Sequence, residues 1–100
     1  MYYVYILYAP DYNKYYVGQT QDIEQRLLTH NELSQNSYTA KYRPWELKVY
    51  LSVPTRAAAI AMERHIKSKK RRAFLEAVID SKNLREKLIE EFSGADNSSN

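Results

Sequence analysis

One hundred residues without a cysteine make one small domain, and they exclude a disulfide framework, a thiolate zinc site and a cysteine nucleophile. Two histidines, His30 and His65, leave carboxylates as the main metal donors, so any bound ion would be a hard one such as magnesium or manganese. The net charge of +3 is mild, yet Arg64, Lys67, Lys69, Lys70, Arg71 and Arg72 fall within nine residues that hold no acid, which suits a phosphate-backbone partner and equally a solvated helix end.

Residues 2–8 are aromatic and β-branched with no helical period, and read as a strand. Seven of the ten tyrosines lie in the first sixteen residues: Tyr2, Tyr3, Tyr5, Tyr8, Tyr12, Tyr15 and Tyr16. Tyrosine suits a half-buried sheet surface, and its phenol can also move a proton. This opening segment has no basic leader and is too short to span a bilayer, so a cytoplasmic protein with neither signal nor anchor is expected. Pro10, Asp11 and Asn13 supply turn chemistry, and residues 14–19 form a second strand. The short link requires the two strands to pair as an antiparallel hairpin.

A first helix follows, with Thr20 or Asp22 as its cap and Gln25 at capping-box spacing from Asp22. Ile23, Leu27 and Leu28 give it an apolar stripe to about Asn31. Residues 32–44 are polar and read as a loop carrying Tyr38, Lys41, Tyr42 and Arg43. Residues 45–52 alternate, with Trp45, Leu47, Val49 and Leu51 on one face of a third strand. Pro54 and Thr55 open a second helix running to about Ser68. A third covers residues 71–80, and Asn83 with Glu86 caps a fourth that ends near Phe92. The expected class is therefore α+β: a three-stranded antiparallel sheet flanked by helices, order β-β-α-β-α-α-α, over residues 1–92, with a disordered polar tail at 93–100.

In the second helix the apolar positions Ala59, Ile60, Met62 and Ile66 set a stripe, and Glu63 lies only roughly 40–50° from its centre at about 100° per residue. A carboxylate there is costly unless it is paired or binds a cation. The plain alternative is an i,i+4 surface pair with Lys67. On the first helix, Arg26 and His30 are four residues apart and project from one face offset from the apolar stripe. A guanidinium with an imidazole one turn away suits a phosphate, and also suits an ordinary polar surface.

Taken in order, Tyr3-Val4-Tyr5-Ile6-Leu7, Tyr16-Val17-Gly18-Gln19-Thr20, Asp22 with Arg26-Leu27 and His30-Asn31, Arg43-Pro44-Trp45-Glu46-Leu47, and Glu63 with Ile66-Lys67 resemble the GIY-YIG nuclease family over roughly residues 2–80. The likeness is greatest to its small stand-alone bacterial members. The resemblance implies roles. Tyr5 and Tyr16 match the two motif tyrosines, Gly18 the glycine kept small beside the substrate backbone, Arg26 the essential arginine, and His30 the histidine or tyrosine near the scissile phosphate. Glu63 matches the ligand of a single divalent metal, Mg²⁺ or Mn²⁺. The first half-motif departs from the pattern, reading Tyr-Val-Tyr, and Gln19 stands where some relatives carry lysine.

The implied reaction is metal-assisted hydrolysis of a DNA phosphodiester, in repair or recombination. Tyr5 would accept the proton of the attacking water, Tyr16 would orient water or phosphate, and His30 would relay protons. Lys41, Arg43, Lys67, Lys69, Lys70, Arg71 and Arg72 would hold flanking phosphates with little sequence preference, and a partner protein could supply specificity. RNA is an alternative substrate. Two rivals stand beside this reading: a DNA-binding module on the same fold that does not cut, and a protein-interaction domain with no nucleic-acid role.

Overall fold

In the computed structural model, which describes residues 1–33 and 37–94, the strands form one antiparallel sheet in the order β2-β1-β3. β1 (Tyr2–Ala9) is central, with β2 (Lys14–Thr20) on one side and β3 (Glu46–Val53) on the other. Its position explains its sequence. Both faces of β1 are covered, so Val4, Tyr5, Ile6 and Leu7 are all buried and no polar alternation appears. Asn13, at φ 53°, closes the hairpin in the left-handed region that asparagine tolerates, and its side chain accepts from Tyr8 Oη at 2.7 Å.

The two faces carry different loads. Val4, Ile6, Val17, Leu51 and Val53 face three helices: α2 (Arg56–Ser68), α3 (Arg72–Asp80) and α4 (Lys82–Gly94). Ala58, Ala59, Met62 and Ile66 of α2 fill this core, joined by Val78 of α3 and Leu88 of α4. Tyr5, Leu7, Ala9 and Trp45 form a second cluster on the opposite face, where Ile23 and Leu27 of α1 (Ile23–Leu28) pack. That second face carries the site. Among the described residues no helix is long and apolar enough to cross a membrane.

Several local expectations change. Ile6 pairs with Val49 but Leu7 with Leu47, so Lys48 is an extra residue in β3, a bulge. The bulge turns Leu47 and Trp45 to the Tyr5 face while Val49 and Leu51 stay on the other, which strict alternation does not foresee. Asp22 caps α1 as expected, accepting from the Gln25 amide at 3.0 Å. The helix then loosens into a π turn at Thr29–Leu33. The stretch read as a plain loop holds a 3₁₀ helix, Tyr38–Tyr42, with Ser37 as its cap; residues 34–36 of that reading lie outside the described residues. Ser81, not Asn83, caps α4, its Oγ accepting from the Leu84 amide at 3.1 Å. That helix runs through Gly94, two residues into the segment read as tail, of which residues 95–100 lie outside the described residues.

Ile6 is fully buried on the helix-packed face, whereas Leu28, counted in the α1 stripe, is 39% exposed. Ile6→Ala should cost about 2–5 kcal/mol in urea unfolding with an unchanged m-value. Leu28→Ala should stay within about 0.5 kcal/mol. Equal costs would contradict this assignment of the core.

Candidate active site

The site starts from a missing side chain. Gly18 in β2 lies directly across from Tyr5 in β1, and the Tyr5 ring rests over it. A Cβ at residue 18 would fall on the Tyr5 hydroxyl, 2.6 Å from Cζ and 3.2 Å from the Tyr16 ring. Gly18 therefore makes room for Tyr5, where the resemblance gave that room to the substrate backbone.

The Tyr5 hydroxyl is a junction. Arg26 Nε of α1 donates to it at 3.4 Å, and His30 Nε2 lies 2.9 Å away. His30 Nδ1 lies 2.9 Å from Thr39 Oγ1, which is 3.0 Å from Ser37 Oγ. Arg26 is exposed, but His30 is only 5% exposed. The expectation that both share one accessible helix face lapses because the π turn begins at Thr29, between them. Arg43 Nε donates to the His30 carbonyl at 2.6 Å, and Asn31 binds the Trp45 backbone through both its amide oxygen (2.6 Å) and its amide nitrogen (3.0 Å). The π turn, the 3₁₀ helix and the start of β3 are thereby tied together.

Burial dominates the electrostatics. Tyr5 is 2% exposed. Desolvation pushes its phenol up to about 12, although the Arg26 hydrogen bond and charge act to lower it. Burial pushes His30 down to about 4, and the Arg26 and Arg43 charges act the same way. At neutral pH the pair is a neutral phenol beside a neutral imidazole.

Tyr16 is different. Its ring packs edge-on against His30 at 4.9 Å between centroids and against Trp45 at 6.1 Å, yet it stays half-buried. With Arg26, Thr29, His30, Ser37, Tyr38 and Thr39 it lines a cleft of about 210 Å³. Tyr16 and Tyr38 also border a larger groove of about 480 Å³ whose far wall carries Lys67, Lys70, Arg71 and Arg72. The two hollows adjoin along these tyrosines.

Glu63 sits on the flank of the buried α2 stripe, since Ile60 turns out to solvent at 39% exposure. Its Oε2 pairs with Lys67 Nζ at 2.6 Å, the i,i+4 alternative read from the sequence. The pair is not sealed: the side chains are 21% and 49% exposed for Glu63 and Lys67. Lys67 Nζ also lies over the Tyr16 ring at 5.8 Å, and the Glu63 charge raises the pKa of both Tyr5 and Arg26. Tyr5 thus meets Arg26 and His30, His30 packs against Tyr16, and Lys67 links Tyr16 to Glu63.

Among the described residues no group of three or more His, Cys, Asp or Glu side chains could hold a metal. A lone, accessible carboxylate that already draws a cation fits a hard divalent ion that keeps water and takes substrate phosphate oxygens. It does not fit a zinc site.

The basic candidates divide. Lys67, Lys70, Arg71 and Arg72 line one groove. Arg72 is held there by Asn13, donating to its carbonyl and, at 3.0 Å, to its side chain. Lys69 lies over Phe74 at 5.9 Å, Lys41 is exposed on the 3₁₀ helix, and Arg43 holds the His30 backbone. Gln19 Oε1 is buried with no hydrogen-bond partner among the described residues. Thr39, Ser37 and Asn31 were not singled out as site residues from sequence, and Tyr38 only as part of an aromatic-basic loop that could touch nucleic acid. Asn31 follows His30 in the quoted motif, and Thr39 is an ordinary residue in a polar stretch until its burial is known.

Compared with known proteins, the sequence matches the family model for the GIY-YIG catalytic domain over residues 1–76. It is 38% identical over 66 residues to a UPF0213 protein of Haloquadratum walsbyi, covering 66% of this chain and 73% of that one. Identity is 35% over 66 residues to a UPF0213 protein of Bacillus pumilus, with 66% of each chain covered. To UPF0213 protein YazA of Bacillus subtilis it is 34% over 73 residues, covering 70% and 74%.

Two outcomes follow from this geometry. Folding lowers the His30 pKa from 6.5 to about 4, so between those values the unfolded chain binds more protons. Its contribution to stability is complete above about pH 6.5 and is lost as pH falls toward 4. Urea unfolding at pH 7 and pH 4.5 should show that loss, and His30→Gln should shrink it; an identical pH dependence in the variant would contradict the assignment. Gly18→Ala should cost about 1–3 kcal/mol by overpacking against Tyr5. A neutral substitution would show that Tyr5 does not need the space.

Proposed function

The chain belongs to the GIY-YIG catalytic domain family, a family of nucleases, and from that premise we propose that it is a divalent-metal-dependent endonuclease that hydrolyses DNA phosphodiester bonds, serving repair or recombination in the cytoplasm. The observation that carries this reading is the placement of Arg26. Its Nε is engaged by Tyr5, and it stands exposed at the cleft shared with Tyr16, beside a groove lined by five cations, Lys14, Lys67, Lys70, Arg71 and Arg72. Terminal guanidinium nitrogens left over from the Tyr5 contact suit the oxygens of a phosphate.

In this mechanism the phosphodiester lies across the Tyr16–Tyr38 border, with its neighbours in the basic groove. Arg26 binds a non-bridging oxygen and stabilises charge that grows in the transition state. Water attacks phosphorus, and the bond to the leaving 3′-oxygen breaks. Glu63 would hold a divalent ion, which would supply positive charge against the negative charge that develops in the transition state. The two phenols exchange the roles that the resemblance suggests: Tyr5 is too buried to meet the attacking water, so Tyr16 accepts a hydrogen bond from that water and orients it while Tyr5 holds Arg26. The water gives its proton to solvent, and the leaving 3′-oxygen takes one from solvent. Lys67 pairs with only one oxygen of Glu63, and it also lines the groove, where its charge can meet a neighbouring phosphate. Contacts of this kind grip backbone without reading sequence, so choice of site would come from DNA shape or a partner protein.

The Glu63–Lys67 pair also favours a second reading, a DNA-binding module on this fold that does not cut. A supercoiled-plasmid nicking assay separates the two. The nuclease reading expects cutting with Mg²⁺ or Mn²⁺, loss of about 10²–10³-fold in Arg26→Ala, a comparable loss in Glu63→Gln, and DNA affinity falling steeply from low to moderate salt. Salt-sensitive binding without cutting would establish the module instead, and undiminished cutting by Glu63→Gln would reject its role.

A further inference from the structure

We propose that Thr39 is a positioning residue that holds His30 in the tautomer protonated on Nδ1, and that through His30 and Tyr5 it aims Arg26 at the substrate. Donors and acceptors alternate along one chain of contacts. Arg26 Nε can only donate, so at this contact the Tyr5 oxygen accepts. The Tyr5 proton then needs an acceptor, and His30 Nε2 at 2.9 Å supplies one if it is unprotonated. A neutral imidazole with a bare Nε2 carries its proton on Nδ1, and that nitrogen faces Thr39 Oγ1 at 2.9 Å. The Thr39 hydroxyl in turn has Ser37 Oγ at 3.0 Å to receive its own proton. Every link from Arg26 to Ser37 is thereby satisfied in one direction.

The opposite tautomer disturbs the junction. His30 would donate from Nε2 to the Tyr5 oxygen alongside Arg26 Nε, and the buried Tyr5 proton would lose the acceptor that Nε2 provides. Crowding three N–H and O–H protons around one oxygen weakens the contact that fixes Arg26 Nε and leaves the rest of the fork for phosphate. Thr39 favours the first arrangement because its own proton can go to Ser37 Oγ at 3.0 Å, which leaves its oxygen to accept from Nδ1. It is 2% exposed, and its backbone is held by Trp45 Nε1 donating to its carbonyl at 2.8 Å. In a buried network of this kind a half-satisfied member is costly, which makes the tautomer a two-way choice rather than a blend.

The effect on cutting rests on the nuclease reading; the tautomer does not. Long-range ¹H–¹⁵N correlation spectra at pH 7, with His65→Gln to assign the ring signals, read the wild-type tautomer directly. The expected result is the Nδ1-protonated form of His30. An Nε2-protonated wild type would overturn the proposal without any variant at Thr39. Thr39→Val keeps the shape and removes the hydroxyl. It should shift His30 toward the Nε2-protonated form and lower kcat for nicking by about 10–100-fold, the scale known for losing the hydrogen-bond partner that fixes the tautomer of a metal-bound histidine, with KM little changed. Thr39→Ser should restore both. A Thr39→Val protein with wild-type ring signals and wild-type kcat would overturn the proposal. If the wild type fails to cut DNA, the nuclease reading fails, and the spectra still decide the tautomer.

Discussion

A single phenolic oxygen organises this molecule. Tyr5 sits in the central strand, its ring lies over a glycine in β2, and its hydroxyl meets Arg26 from α1 and His30 from the π turn. The central strand is therefore tied to the continuous segment of α1 and π turn, some twenty residues on, by one group that water barely reaches. Without a Cβ at Gly18 the ring can lie close to the sheet. With one, the hydroxyl would be displaced from both partners, and the exposed guanidinium would lose its anchor.

Two forces compete at that oxygen, and burial prevails. The Arg26 charge favours a phenolate, but desolvation is the larger effect and keeps Tyr5 protonated. A buried neutral phenol is a poor proton acceptor and a good structural donor. The half-buried Tyr16, which borders both the cleft and the basic groove, has the access that Tyr5 lacks. A similar division holds for the charges. Arg43 and Arg72 are spent on backbone and turn contacts, whereas Lys67 bridges the groove and the one accessible carboxylate of α2.

What could be read from sequence was what local chemistry decides. Asp22 with Gln25 marks a helix start, Asn13 marks a hairpin, and the apolar spacing of Met62 and Ile66 marks a buried helix face; each holds because neighbours within a few residues settle it. Tyr5, Tyr16, Arg26 and His30 were legible as a set through the resemblance to the GIY-YIG family, which local chemistry alone does not supply. The rest depended on contacts between distant segments. Lys48 is an unremarkable residue in an alternating run, and only its register against Ile6 and Leu7 makes it a bulge. Thr39 reads as loop polarity until His30 turns inward to meet it. The Glu63–Lys67 spacing allowed a surface pair and a metal ligand alike; the structure contains the pair, still open to solvent.

The central claim is that the hairpin, α1 and the middle of α2 serve one phosphate. Its most direct test is a crystal of the protein with Mn²⁺ and a short oligonucleotide made cleavage-resistant by phosphorothioate linkages, examined by anomalous scattering. The account predicts one manganese peak at the Glu63 carboxylate, with a backbone phosphate between that ion and Arg26 and with Tyr16 beside it. Manganese away from Glu63, or a strand that follows the Lys70–Arg72 groove while leaving Arg26 without a phosphate, would contradict it.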